Sequence, residues 1–269
     1  MIVTYDNTDF KHSASIIAER LSCAVGKDDK LHDLTLTLRD LPESSNYILE
    51  LCLNARTPPL KLVLDFNNQH FRFRKSHGGG KRQHIVRAMG LHKQPALRII
   101  DATAGMGADS FVLACHSANM TLVEQHPILS LMLENAVTQA LEIPELSEIA
   151  SRMHVCSNTN SIELLSAPDI NKKYDVIYLD PMYPERNKKQ AKAKKNMQII
   201  QYLLADFENQ DELLFNTALA SGVKRIVVKR PIAADSLLQM KPHSVIESTN
   251  TRYDIYINKK GSEPFYFNK

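Results

Sequence analysis

Ile99-Ile100-Asp101-Ala102-Thr103-Ala104-Gly105-Met106-Gly107-Ala108-Asp109 reads as a strand, a glycine turn and a helix start. The β-branched pair suits a buried strand, and two glycines let the backbone turn sharply and pass close under a ligand. A dinucleotide fingerprint would carry a third glycine where Ser110 stands. From about residue 83 onward the same alternation repeats. Strands are expected at 97–101, 121–124, 153–156, 175–180 and 225–229, with 245–247 and 253–257 closing the chain. Helices are expected near 108–117, 126–141, 160–166, 189–205 and 211–221. Such alternation predicts a Rossmann-like, mostly parallel seven-stranded sheet with helices on both faces. The last two strands lack a helix-length connection, so they should form an antiparallel edge. Ligands of open α/β sheets bind at the carboxyl ends of the strands.

Residues 1–75 follow another pattern. Leu34, Leu36 and Leu38 alternate with threonines, and Leu60, Leu62, Leu64 and Phe66 alternate with more polar neighbours. The turn Asn67-Asn68-Gln69 then leads to Phe71 and Phe73, which suggests antiparallel hairpins. Ile16, Ile17 and Leu21 mark one amphipathic helix. We read a small α+β N-terminal domain over 1–75 and a second domain over 76–269, joined through the basic junction Gly78-Gly79-Gly80-Lys81. That junction lacks the spacing and the Ser/Thr of a P-loop.

The chain has 269 residues and is 43% hydrophobic. It has no apolar run of membrane-span length and no signal-peptide pattern at its start, so a cytoplasmic protein is expected. Cys23, Cys52, Cys115 and Cys156 are widely spaced and suggest reduced core thiols. The scattered histidines form no metal-ligand pair, and no metal is expected.

Asp101, at the end of its strand, suits a cationic amino-acid group better than a pyrophosphate. Glu124 ends the next strand, where a carboxylate is placed to take both hydroxyls of a ribose. Asn160 and Ser161 open the helix after the third strand and are placed to meet an adenine edge. Each acid alone is also compatible with a turn or surface role. With Gly105 and Gly107 between them, the set points to S-adenosylmethionine as cofactor.

Asp180-Pro181-Met182-Tyr183-Pro184 follows the apolar run Val176-Ile177-Tyr178-Leu179. An acid and neighbouring carbonyls accept hydrogen bonds from a planar amine, and an aromatic ring stacks on the base carrying it. Asp180, Pro181 and Tyr183 are therefore the candidate catalytic residues for methylating an exocyclic amine of a nucleobase, whether adenine or guanine.

Net charge is only +3, but its distribution is uneven. No acid lies between Asp65 and Asp101, a stretch that carries Arg72, Arg74, Lys81 and Arg82. A second basic cluster, with Lys188, Lys189 and Lys192, begins just after Tyr183. Lys229 and Arg230 end a core strand beside the site, where they would contact RNA or pair with Asp254. A solvated surface produces such clusters too, but two of them, one abutting the site, favour a phosphate backbone.

The run 101–109, the glycine lead-in at 78–80, Asp180 to Pro184, Val227-Val228-Lys229-Arg230-Pro231 and Arg252-Tyr253-Asp254-Ile255-Tyr256 together resemble the RsmJ family. These are bacterial small-subunit ribosomal RNA guanine-N2 methyltransferases. The resemblance covers the chain from about residue 60 onward. It implies a class I methyltransferase fold, ribosomal RNA or the small subunit as partner, guanine N2 as the acceptor, and cofactor contacts at Ala108, Asp109, Glu124, Gln125, Asn160, Ser161 and Asp180. The competing readings are an adenine-N6 methyltransferase on RNA or DNA, and a non-catalytic RNA-binding assembly factor on the same scaffold.

Overall fold

The structure, a computed structural model, describes residues 1–26, 32–41, 46–69, 71, 82–181 and 195–258. Seven strands form the larger sheet: β6 (Arg98–Asp101), β7 (Asn119–Glu124), β8 (Met153–Ser157), β9 (Val176–Leu179), β10 (Arg225–Pro231), β11 (Ser244–Glu247) and β12 (Thr251–Ile257). Their order is β11-β12-β10-β9-β6-β7-β8. β12 runs antiparallel to both β10 and β11, and the other pairings are parallel. This matches the sheet expected from the alternation, including its antiparallel edge.

The chain leaves β6 toward β7 and β8, then returns to place β9 on the other side of β6. That reversal opens a crevice at the carboxyl ends of β6 and β9. Strand side chains alternate between faces. Ile99, Leu122, Tyr178 and Val227 belong to one core cluster, and Ile100, Val123, Leu179 and Val228 to the other. By that alternation Asp101, Glu124, Asp180 and Lys229 share the first face, so four polar side chains from four strands meet at one sheet end.

The first face carries helices α2 (His84–Met89), α3 (Ala108–Cys115), α4 (Pro127–Leu141) and α5 (Pro144–Ala150). The second face carries α6 (Ser161–Leu165), α7 (Ile170–Lys173) and α9 (Asp211–Ala220). Helix α8 (Lys195–Leu203) buries Ile199, Ile200 and Leu203 in the first cluster and packs on the strand Leu60–Val63 of the N-terminal sheet.

That smaller sheet has strands β1 (Ile2–Tyr5), β2 (Ala24–Val25), β3 (Leu34–Asp40), β4 (Tyr47–Leu53) and β5 (Leu60–Val63), in the order β2-β1-β3-β4-β5. The antiparallel β3-β4-β5 meander agrees with the alternating leucines, while β1 pairs in parallel with β2 and β3. Helix α1 (Lys11–Arg20) turns Ile17 inward, but Ile16 is 53% exposed and not part of the apolar face expected for it.

The stretch after β5 also departs from expectation. Asp65 Oδ1 accepts from the Asn67 backbone N–H at 2.7 Å, and Asn68 Oδ1 from that of Phe71 at 3.1 Å. These side chains bend the chain into a helical turn at Phe71 instead of a hairpin strand. Phe73 and the 75/76 division lie outside the described residues. The Phe71 ring packs edge-on against Phe66 and Phe111, and Phe66 stacks on Phe111 with centroids 4.9 Å apart.

The two sheets share one hydrophobic core through these rings. Hydrogen bonds reinforce the junction. β5 pairs only with residues 50–53 of β4, leaving the edge at 47–49 open. Asn135 of α4 completes it, accepting from the Leu49 N–H at 3.0 Å and donating to the Tyr47 carbonyl at 3.1 Å, with Gln139 donating to the same carbonyl.

The four cysteines are free and half-buried, not fully enclosed. Among the described residues no helix is long and apolar enough to cross a membrane.

Candidate active site

The glycine turn works through both glycines, in different ways. Gly105 has φ +52° and Gly107 φ +66°, the left-handed region that side chains avoid. A Cβ on Gly107 would lie 2.7 Å from Leu133, 3.2 Å from Leu122 and 3.3 Å from Phe66, so this glycine seals the core beneath the turn. Among the described residues, a Cβ on Gly105 would meet nothing nearer than the Thr103 carbonyl oxygen at 4.0 Å, so these residues leave the space above the turn open. Helix α3 starts immediately after, with Ala108 and Asp109 in its first turn.

Asp101 is 2% exposed. Its Oδ2 accepts the Ser110 hydroxyl at 2.6 Å, and its Oδ1 accepts the Thr103 N–H at 3.1 Å. Burial pushes its carboxyl up to about 7 despite those two hydrogen bonds, with Asp109 and Asp180 nearby adding to the rise. Asp101 thus anchors the turn from below.

Glu124 is 8% exposed, and burial raises its pKa. Its Oε2 accepts the Gly105 N–H at 2.9 Å and its Oε1 the His126 N–H at 2.7 Å. Each carboxylate oxygen has a second lone pair, so fastening the turn leaves acceptor capacity for a ribose. Asn160 caps α6, its Oδ1 accepting the Ile162 N–H at 2.8 Å, and Ser161 donates to the Ala102 carbonyl at 2.6 Å. Ser161 therefore ties α6 to the chain just after β6, while Asn160 caps α6 from within.

Asp180 follows β9 and Pro181 is buried behind it. The Asp180 N–H donates to Thr103 Oγ1 at 2.6 Å, which ties the end of β9 to the glycine turn. Lys229 Nζ lies 2.7 Å from Asp180 Oδ2 and 2.9 Å from Asp109 Oδ2. Tyr178 donates its hydroxyl to that same Asp109 oxygen at 2.7 Å. Burial would lower the lysine, but the two carboxylates outweigh it and hold its pKa up. Asp180 is pushed up by the protein around its carboxyl end, although 39% of the side chain is open, while Lys229 pulls it down.

Two residues expected on an RNA surface are placed otherwise. Lys229 points into the acid cluster and does not pair with Asp254, which Arg252 and Ser236 take instead. Arg230 is 5% exposed and donates to the Asp235 carbonyl at 2.7 and 3.1 Å, so it braces the chain after β10 and presents nothing to a phosphate. Arg82 is exposed. Arg72, Arg74, Lys81, Tyr183, Lys188, Lys189 and Lys192 lie outside the described residues. Gln125 is exposed beside Glu124.

Sequence reading missed Thr103, Tyr178 and the inward role of Lys229. The place of the lysine rests on strand register, which the sequence alone does not display. Val228 pairs with Leu179 in the parallel β9–β10 ladder, so the next residues, Lys229 and Asp180, are neighbours. Among the described residues, no group of three or more His, Cys, Asp or Glu side chains is arranged to hold a metal.

Among the described residues the site combines a glycine turn, the buried acid Glu124 at the end of β7, and the carboxylates of Asp101, Asp109 and Asp180 grouped around Lys229. That balance suits a ligand carrying sulfonium and ammonium charges, as S-adenosylmethionine does. The fold and the site define an S-adenosylmethionine-dependent methyltransferase. A family model described as putative SAM-dependent methyltransferase matches residues 30–258.

Ribosomal RNA small subunit methyltransferase J of Thioalkalivibrio sulfidiphilus is 32% identical over 255 residues, covering 95% of this chain and 96% of that protein. The protein of the same name from Photobacterium profundum is 40% identical over 188 residues, covering 68% and 72%. The crystal structure of a SAM-dependent methyltransferase from Neisseria gonorrhoeae superposes with a TM-score of 0.69 at 26% identity, over 100% of both chains. The chain belongs to the ribosomal RNA small subunit methyltransferase J family.

Proposed function

We propose that this protein transfers a methyl group from S-adenosylmethionine to the exocyclic N2 amine of a guanine in small-subunit ribosomal RNA, acting in the cytoplasm. The observation that carries the reading is the placement of Asp180. It stands beside the open glycine turn, with its backbone held by Thr103 and one carboxylate oxygen held by Lys229. Among the described residues its Oδ1 has no hydrogen-bond partner, so it is available to an amine. The ribosomal target is supported by the name of the relatives.

The cofactor supplies an electrophilic methyl on sulfur. The guanine N2 lone pair is delocalised into the purine, so the amine is a poor nucleophile. A hydrogen bond from N2–H to Asp180 Oδ1, with a second to a carbonyl near Pro181, holds the amine and favours a tetrahedral nitrogen. A charge-assisted bond of this kind contributes about 1.5–3 kcal/mol. The rest of the acceleration comes from alignment of nitrogen, methyl and sulfur. As the N–C bond forms and the C–S bond breaks, N2 becomes acidic and loses its proton to Asp180 or water.

Asp101, Gly105, Gly107, Ala108, Asp109, Glu124, Gln125, Asn160 and Ser161 would hold the cofactor. Tyr183 would stack on a base taken out of pairing. Arg72, Arg74, Lys81, Arg82, Lys188, Lys189 and Lys192 would follow the phosphates, fixing position and not sequence.

Mass mapping of small-subunit ribosomal RNA from cells lacking the protein tests the proposal. One missing methyl on a guanine, restored by the purified enzyme with S-adenosylmethionine, is expected. Full methylation of that RNA without the protein would overturn it, and a missing methyl on adenine would reassign the acceptor.

A further inference from the structure

Lys229 sits in the site and the reaction as written does not use it. We propose that Lys229 is a positioning residue for methyl transfer, holding the Asp180 carboxylate with one oxygen turned toward the acceptor amine and the other engaged. The inference rests on the amine-directed reading of Asp180.

Four observations carry it. The ammonium contacts Asp180 Oδ2 at 2.7 Å and Asp109 Oδ2 at 2.9 Å, so it bridges α3 and the end of β9 from the neighbouring strand β10. Tyr178, 1% exposed, donates to the same Asp109 oxygen and fixes that carboxylate in turn. Asp180 is held at its backbone by Thr103, so its remaining freedom is rotation of the carboxylate, which Lys229 stops. Side-chain exposure rises along the chain of contacts, from 14% for Asp109 to 25% for Lys229 and 39% for Asp180, so the cluster opens at the Asp180 side chain.

The charge argument runs the same way. Two carboxylates close together repel, and one cation between them lets both stay ionised. Without Lys229, Asp180 loses the cation that lowers its pKa and takes up a proton more readily, and a protonated Asp180 accepts an amine hydrogen bond poorly. Among the described residues, Asp109 from α3, Asp101 from β6, Tyr178 from β9 and Tyr253 from β12 are titratable groups around this cluster.

The test compares Lys229→Met, Lys229→Arg and Asp109→Asn in the full chain. In protein with 13C-labelled aspartate, without substrate, the Asp180 carboxyl carbon is followed against pH. Lys229→Met should move its titration to higher pH and Asp109→Asn to lower pH, with Lys229→Arg close to wild type. On small-subunit RNA, Lys229→Met should lower kcat at neutral pH by roughly ten- to a hundredfold. KM for RNA should change little, activity should recover as pH rises, and Lys229→Arg should restore most of the rate. Unmoved Asp180 titration in both Lys229→Met and Asp109→Asn, with a wild-type pH–rate profile, would overturn the inference. Should Lys229→Met fail to fold, Lys229→Gln takes its place with the same expected and overturning outcomes. The carboxyl titration needs no RNA, so it stands or falls apart from the identity of the methylated base.

Discussion

Ser110 donates its hydroxyl to Asp101 Oδ2 across 2.6 Å, and the two side chains are 0% and 2% exposed. The residue that breaks the dinucleotide fingerprint is therefore what allows a buried acid under the turn. Ser110→Ala would leave a buried carboxyl oxygen without its donor, at a cost of about 1–3 kcal/mol. Urea unfolding at neutral pH measures it, and a loss below the error of the measurement would show the bond to be replaced by water.

Asp101 also makes stability depend on pH. Its folded pKa, about 7, is raised above the unfolded value, so folding favours the protonated form. The stability it contributes is complete below about pH 4 and declines as pH rises toward 7. Asp101→Asn should flatten the stability–pH curve in that window. An unchanged slope would assign the dependence to other groups.

His126 acts in the opposite sense. Its Nδ1 accepts the Ile128 and Leu129 N–H groups at 3.2 and 3.4 Å, capping α4, and burial lowers its pKa. Capping needs the neutral ring. Its contribution is intact above the unfolded value of about 6.5 and is lost as pH falls through the lower folded value. His126→Ala should cost about 0.5–2 kcal/mol at pH 8, and His126→Asn should keep a cap while removing the acid sensitivity. Thermal melts from pH 5 to 8 distinguish the three proteins.

The glycines should separate stability from binding. Gly107→Ala meets Leu133 at 2.7 Å in a left-handed backbone, so it should lose about 1–2 kcal/mol from conformation and about 1–3 from overpacking. Gly105→Ala pays only the conformational part, but its methyl enters the open space over the turn, so calorimetry should show weakened S-adenosylmethionine binding. Equal destabilisation by both, with unchanged affinity in Gly105→Ala, would contradict this division.

At the junction of the sheets, hydrogen bonds to backbone should outweigh the ion pair. Arg20 grips Glu134 at 2.6 and 3.2 Å, but the side chains are 39% and 33% exposed, which limits the pair to about 0–1 kcal/mol. Asn135→Ala leaves the Leu49 N–H without its acceptor, while Gln139 still donates to the Tyr47 carbonyl, and should cost about 1–3 kcal/mol. Urea titration of Arg20→Ala and Asn135→Ala tests the order, and a larger loss in Arg20→Ala would reverse it.

Much of the scaffold was legible because its signals are local. Ile99 to Asp109 and the strands up to Tyr253–Ile257 repeat an apolar run and a turn that hydrophobic periodicity reports. The helices over 84–89 and 144–150 were not foreseen. Each spans two turns or fewer and draws its order from packing, as Ile85, Met89, Leu146 and Ile149 show. At Phe71 the aspartate and asparagine side chains overrode a plausible hairpin, because they hydrogen-bond the backbone before strand pairing can.

The sequence by itself determined the alternating sheet, the glycine turn and the acids Asp101, Glu124 and Asp180, each set by its own neighbours in the chain. Only the tertiary structure decided what those acids touch. Lys229 and Asp180 are 49 positions apart in the chain, and their meeting depends on β10 lying beside β9 in one register. Arg230, the next residue, points to the opposite face and is buried. A strand reverses side with every residue, so the fold turned one lysine into the site and took its neighbour away.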